Sequence, residues 1–426
     1  MSPETAPPVT GTTPGRTAVI TGIGVVAPNG VGESAFWKAT QAGTCVLDRI
    51  TRKGCEHLPL RVAGEVRDFD PHGLVEERYL VQTDRFTHFS LAAADMALEQ
   101  ALLGRADYED DSFSIGVITA AGSGGGEFGQ RELQQLWGQG PKYVGPYQSI
   151  AWFYAATSGQ ISIRGGFRGP CQVVASDEPG GLDAFSQAAR IIRRGTSAVL
   201  VGSAEAPLAP YSMVCQLGYP ELSTHPDPER AYRPFTEAAC GFAPAEGGAV
   251  IIVEDLERAA ARGAPVRAEV AGHAATFTGA GQWERSREGL ARAITGALRQ
   301  AGCAPEEIDV VFADALGVPE ADRAEALAIA DALGTAHGRT VPVTAPKTGT
   351  GRAYCGSAAL DVAAAALALE HGLVPPTPNV FDVCHDLNLV TGAALASRPR
   401  TALVLSRGLM GSNSALVLRT PVSPSR

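Results

Sequence analysis

The chain has 426 residues, 45% of them hydrophobic and 19% charged, an ordinary globular balance with enough apolar material for a large core. Its formal net charge of −10 argues against a nucleic-acid or anionic-membrane surface, which needs clustered Lys and Arg. No apolar run reaches the roughly 18–20 residues of a membrane span. The eight cysteines are scattered without CxxC spacing, so reduced thiols are expected, with no zinc site, disulfide framework or cofactor.

In chain order, residues 1–15 are Pro/Thr-rich and lack the basic-then-apolar layout of a signal peptide. They read as a flexible tail on a cytoplasmic protein. A β-rich segment at 17–20 leads into Gly22, Gly24 and Ala27, the spacing of a GxGxxA dinucleotide fingerprint. That fingerprint works only where a helix begins at the glycines and points its N-terminus at a pyrophosphate. Pro28 follows at once and disfavours helix there. A glycine-lined turn beside a packed sheet is expected instead.

The next elements recur. A helix over 85–103 runs into a strand at 113–120, and a helix over 286–302 runs into a strand at 308–313. A helix over 184–194 stops at Gly195 before a strand at 198–202. A helix over 361–371 stops at Gly372 before a strand at 402–406. Buried, unalternating strands at 249–254 and 415–419 close the two halves. The repeated order predicts two fused, pseudo-symmetric α/β halves, 16–258 and 259–420, with stacked helix and sheet layers and a frayed tail at 421–426.

Residues 176–184 form a strand-to-helix turn, where a helix N-terminus can stabilise developing negative charge beside a nucleophile. This turn resembles the nucleophile turn of β-ketoacyl synthases, in which a Cys stands three residues before Gly-Leu-Asp. Counting back from Gly181-Leu182-Asp183 puts Glu178 at the Cys position. Arg233-Pro234-Phe235, Gly241-Phe242 and Glu246-Gly247-Gly248 resemble further segments of that family. Asp322 and Glu325 match the residues trailing its first catalytic-His loop, which puts Asp314 at that His. Pro346-Lys347-Thr348 matches the segment before the second His, which puts Arg352 there and retains Lys347. The resemblance implies a thiolase-like five-layer α-β-α-β-α fold.

Without the thiolate and two imidazoles of that chemistry, no catalytic residues are expected. A carboxylate at a helix N-terminus is expected to be ionised, and Arg352 is placed to pair with Glu178 or Asp314. The cysteines are expected to lie away from the turn.

A degenerate site in a complete fold resembles the chain-length factor, the ketosynthase-beta subunit of type II polyketide synthases. Trp137, Gly140-Pro141-Lys142, Ala151-Trp152-Phe153-Tyr154, the segment 159–164 and Gly317-Val318-Pro319-Glu320 carry that closer likeness. The chain departs from it at the nucleophile position, where aromatic-pathway members have Gln. The resemblance implies a heterodimer with a catalytic ketosynthase, transient contact with an acyl carrier protein, and a share in the wall of the polyketide tunnel. Gly126, Gly129 and Leu133 match its tunnel-gating positions, and their spacing puts them on one helical face. Phe128 lies off that face as core or interface, and 151–154 is expected to be interface packing. Two enzymatic alternatives follow from the same site: a priming decarboxylase acting on malonyl-carrier protein, and a thiolase-fold enzyme using Glu178 as base.

Overall fold

The computed structural model describes residues 16–108, 111–334 and 340–421. The tail expected at 1–15, and 422–426 of the one expected at the end, lie outside them. The N-terminal half contributes strands β1 (Ala18–Ala27), β2 (Ile115–Ala120), β3 (Cys171–Val174), β4 (Ala198–Glu205) and β5 (Gly247–Asp255). Their order is β3-β2-β4-β5-β1, with β2 parallel to β3 and β4, and β5 antiparallel to β4 and β1. The C-terminal half contributes β6 (Ala268–Phe277), β7 (Val310–Phe312), β8 (Pro342–Thr344), β9 (Thr401–Arg407) and β10 (Ser412–Arg419). Its order, β8-β7-β9-β10-β6, repeats the same pattern of directions. The short edge strand Asn388–Leu389 extends it beyond β8. The two sheets join where Val19 and Ile20 of β1 pair with Glu269 and Ala268 of β6.

Period-2 alternation sends each strand's side chains to two different cores. Val199 and Val201 face the centre, whereas Ala198 and Leu200 face the outer helices of their half. Those outer helices are α1 (Arg85–Gln100) and α3 (Ala156–Gly165). Helix α2 (Gly126–Gln139) lies beyond β2. The central layer is α4 (Gly180–Arg193) packed on α8 (Cys355–His371). Between them in the chain come the short α5 (Pro210–Gln216), then α6 (Trp283–Ala301) and α7 (Pro319–Leu333), which cover the other sheet. The result is the five-layer, thiolase-like arrangement.

Apart from Ser357 and Asp361, helix α8 is apolar all round over its buried length, and every residue from Cys355 to Leu369 is buried, as a helix held between two sheets must be. Its alanines let both sheets approach closely. Truncating a large member such as the buried Leu367 to Ala should cost about 2–5 kcal/mol.

The glycine segment is not a turn. Gly22 and Gly24 sit inside β1, and added Cβ atoms would lie 2.0 Å from the Ala97 carbonyl oxygen and 1.8 Å from that of Ala93. These glycines bring α1 against the sheet. Several helices also begin earlier than periodicity indicates: α4 at Gly180 and α8 at Cys355. Gly and Cys in their first turns carry no apolar rhythm to read.

Candidate functional site

Three chain reversals bring the matched positions together. Glu178 stands two residues before α4, Asp314 follows β7, and Arg352 lies in the loop before α8. All three are buried, at 3%, 0% and 2% exposure. Non-glycine residues with left-handed backbone stand beside each: Asp177 at φ 62°, Ala315 at φ 52° and Tyr354 at φ 51°. Such conformations cost about 1–3 kcal/mol each and persist where the surroundings over-determine them.

Arg352 makes both expected pairings. Its Nε donates to Glu178 Oε1 at 3.3 Å and its Nη2 to Glu178 Oε2 at 3.2 Å. Nη2 also lies 2.9 Å from Asp314 Oδ1, and Nη1 donates to the Asp314 carbonyl at 3.2 Å. Arg407, at the end of β9, completes the cluster. Its Nη2 donates to Glu325 at 2.9 Å, its Nε lies 3.4 Å from Asp314 Oδ2, and its backbone N–H donates to Asp314 Oδ1 at 2.9 Å. Glu325 accepts the N–H groups of Asp314 and Ala315 at 2.7 and 2.9 Å and so fixes that loop. Asp322 does the same for Phe235 and Gly317 at 2.9 and 3.0 Å. Lys347 pairs with Asp361 of α8 at 2.5 Å.

Two guanidiniums thus face three carboxyls, Glu178, Asp314 and Glu325, in a buried site where unbalanced charge is costly. Glu178 carries the imbalance. Burial pushes its pKa up to about 7 against the pull of Arg352, so the expectation of a comfortably ionised carboxylate is corrected. Helix α4's positive end does not outweigh desolvation. Burial also acts on Asp314, but Arg352, Arg407 and Lys347 overcome it and hold that carboxyl below the usual range. Arg407 was missed in the sequence. Its only signal was a cationic end to an otherwise apolar strand.

The three matched positions carry neither the thiol nor the imidazoles of Cys-His-His chemistry. Arg352 stays protonated and has no lone pair to accept a proton. Glu178 Oε2 accepts the Leu409 N–H at 3.2 Å, so its own carboxylate occupies a backbone donor beside the turn. One thiol does come close, contrary to expectation: Cys355 Sγ donates to the Asp177 carbonyl oxygen at 3.1 Å. Burial raises its pKa well above the usual value, which leaves an inert thiol.

Above Glu178 opens a cavity of about 610 Å³, bordered by Gly122, Ser123 and Gly126 on one side and by Tyr211, Ser212 and Tyr219 on another. Of the three matched tunnel positions, Gly126 borders it. Gly129 instead faces Trp152, whose Cβ lies 3.7 Å from where a Cβ at 129 would stand, and Leu133 is 38% exposed. Phe128 is buried. Ala151 is buried, whereas Trp152, Phe153 and Tyr154 are exposed, as is Trp137 at 83%.

Residues 16–259 match the family model described as Beta-ketoacyl synthase, N-terminal domain, and residues 267–381 match that of the C-terminal domain. The chain belongs to the β-ketoacyl synthase family. Within it, the chain is 70% identical to a putative polyketide beta-ketoacyl synthase 2 of Streptomyces halstedii, over 96% of this chain and 98% of that one. It is 48% identical to the tetracenomycin polyketide synthase ketoacyl synthase beta subunit of Streptomyces glaucescens, over 94% and 98%. Among solved structures, the ishigamide ketosynthase/chain length factor superposes with a TM-score of 0.88 at 28% identity, covering 96% of this chain and 100% of that one. These likenesses put the chain in the ketosynthase-beta, or chain-length factor, branch of the β-ketoacyl synthases.

Proposed function

We propose that this chain is the non-catalytic, chain-length-determining partner of a catalytic ketosynthase in polyketide biosynthesis. The observation that carries the reading is Glu178 clamped by Arg352 at the nucleophile turn, in a fold otherwise complete. The catalytic partner holds the growing chain as a thioester, and this subunit supplies part of the tunnel wall, with Gly126 as the matched gating position that borders the cavity and Gly129 and Leu133 lying off it. The likeness to the ishigamide ketosynthase/chain length factor supports a heterodimer. A structure of a type II acyl-carrier protein in complex with its ketosynthase, with a TM-score of 0.84 and 28% identity, supports transient carrier-protein contact.

Among the described residues no helix is long and apolar enough to cross a membrane, consistent with a cytoplasmic assembly. We read its halves as 16–258 and 259–420. Priming decarboxylation is the less favoured alternative, because Asp314 and Arg352 offer no neutral imidazole to an enolate. The test is reconstitution of the chain with a ketosynthase and malonyl-carrier protein. A 1:1 complex whose product length responds to changes at Gly126 supports the reading; condensation or decarboxylation by the isolated chain refutes it.

A further inference from the structure

We infer that the wall facing Gly126, built from Ser212, Cys215 and Tyr219, is a second specificity determinant that sets how deeply an acyl chain enters this subunit. The inference rests on the chain-length reading above and adds residues that the tunnel positions do not include. The cavity over Glu178 takes Pro207, Tyr211, Ser212, Cys215, Gln216 and Tyr219 from one short stretch of chain. Steps of three and four residues put 212, 215, 216 and 219 on one side of α5 and its C-terminal extension, turned toward the cavity.

Ser212 and Gly126 share one volume. A Cβ built at Gly126 would lie 2.0 Å from Ser212 Oγ, and Ser212 Cβ would lie at 3.4 Å. A side chain at Gly126 therefore has to displace the Ser212 hydroxyl, and a larger one at 212 enters space that Gly126 leaves open. The lining also states what fits. Its ionisable carboxyls are Asp177 and Glu178, and among the described residues no Lys, Arg or His borders it, which disfavours a ligand ending in carboxylate. Tyr211, Ser212 and Tyr219 contribute hydroxyls that can donate to acceptor oxygens. The occupant is the uncharged distal part of an acyl chain bearing carbonyl oxygens.

The experiment reconstitutes the full heterodimer with carrier protein and reads product length by mass spectrometry for Ser212→Leu, Cys215→Phe and Val214→Phe. Val214 lies on the same helix, is exposed and does not border the cavity, so its variant is the control. Ser212→Leu and Cys215→Phe should give products shorter by at least one extension step, with Val214→Phe matching the unaltered chain. Cys215 is exposed at the rim, so its variant keeps the test open should Ser212→Leu fail to fold. Full-length product from intact, active Cys215→Phe and Ser212→Leu heterodimers overturns the inference and leaves the chain-length reading standing. Equal shortening by Val214→Phe also overturns it, by assigning the effect to the helix rather than the cavity. A ketosynthase that makes the same product without this chain defeats the underlying reading instead.

Discussion

Arg352 grips Glu178 with two nitrogens, Nε on Oε1 and Nη2 on Oε2, and so ties the nucleophile turn of one half to the interior of the other. The same guanidinium donates to the Arg407 carbonyl and to that of Asp314. A group that catalysis would need free to exchange protons is committed on every side to holding loops together.

Arg352→Met should therefore destabilise the protein by about 3–5 kcal/mol, because it strands buried carboxyls and carbonyls. Thermal unfolding of the co-expressed complex measures this. Arg352→Lys should recover little, since one ammonium cannot span Glu178, Asp314 and two carbonyls in the fork geometry of a guanidinium.

The buried Glu178 makes stability depend on pH. Its folded pKa of about 7 exceeds the usual 4.5, so the fold binds this proton more tightly than the unfolded chain does. That contribution is fully present below about pH 4.5 and is lost as pH rises to about 7, a swing of a few kcal/mol. Asp314 runs the other way, stabilising above its usual 3.8 and losing that as pH falls through its lowered value. Because burial also pushes Asp84 and Asp322 up to about 7, the informative quantity is the unfolding difference between the native chain and Glu178→Gln. The native chain should lose ground to the variant from pH 5 to 7, then run parallel above about 8. A difference independent of pH would remove Glu178 as the titrating group.

Much of this was legible in the sequence, for physical reasons. Strands buried on both faces read as apolar runs, and Gly195 and Gly372 stop helices by taking up positive φ. Counting back from Gly181-Leu182-Asp183 reached Glu178, because a sharp turn fixes residue spacing. The raised pKa of Glu178 was not legible, since it depends on burial, on the opposing pull of Arg352 174 residues away, and on the nearby Asp177 and Asp314. Nor did one helical face mean one environment. Gly126 meets the cavity while Gly129, less than a turn on, meets Trp152, because α2 is crossed there by the segment around Trp152.

That separation divides the glycine substitutions. Gly126→Phe enters the cavity after Ser212 gives way and should shorten the polyketide. Gly129→Phe should instead press on Trp152 and Gln148, costing about 1–3 kcal/mol as overpacking and weakening the complex with product length unchanged. Product masses and sedimentation of the two complexes distinguish them. Equal shortening by both would mean that 129 also reaches the acyl chain once the partner is bound.

Restoring a thiol should not restore chemistry. Glu178→Cys places sulfur beside Arg352 and Asp314 rather than two imidazoles, and turnover with malonyl-carrier protein should stay at background. Alkylation followed by peptide mass spectrometry should modify the exposed Cys215 and spare the buried Cys355 until the protein unfolds. Labelling of Cys355 in the folded chain would show that thiol to be reactive after all.

The most direct measurement pairs one ketosynthase in turn with this chain and with the Streptomyces glaucescens beta subunit, and reads product length by mass spectrometry. Length should follow the beta subunit, and turnover should vanish when the ketosynthase loses its Cys yet survive Glu178→Gln in this chain. Identical products from both pairings, or condensation by this chain alone, would contradict its role as the non-catalytic subunit that sets chain length.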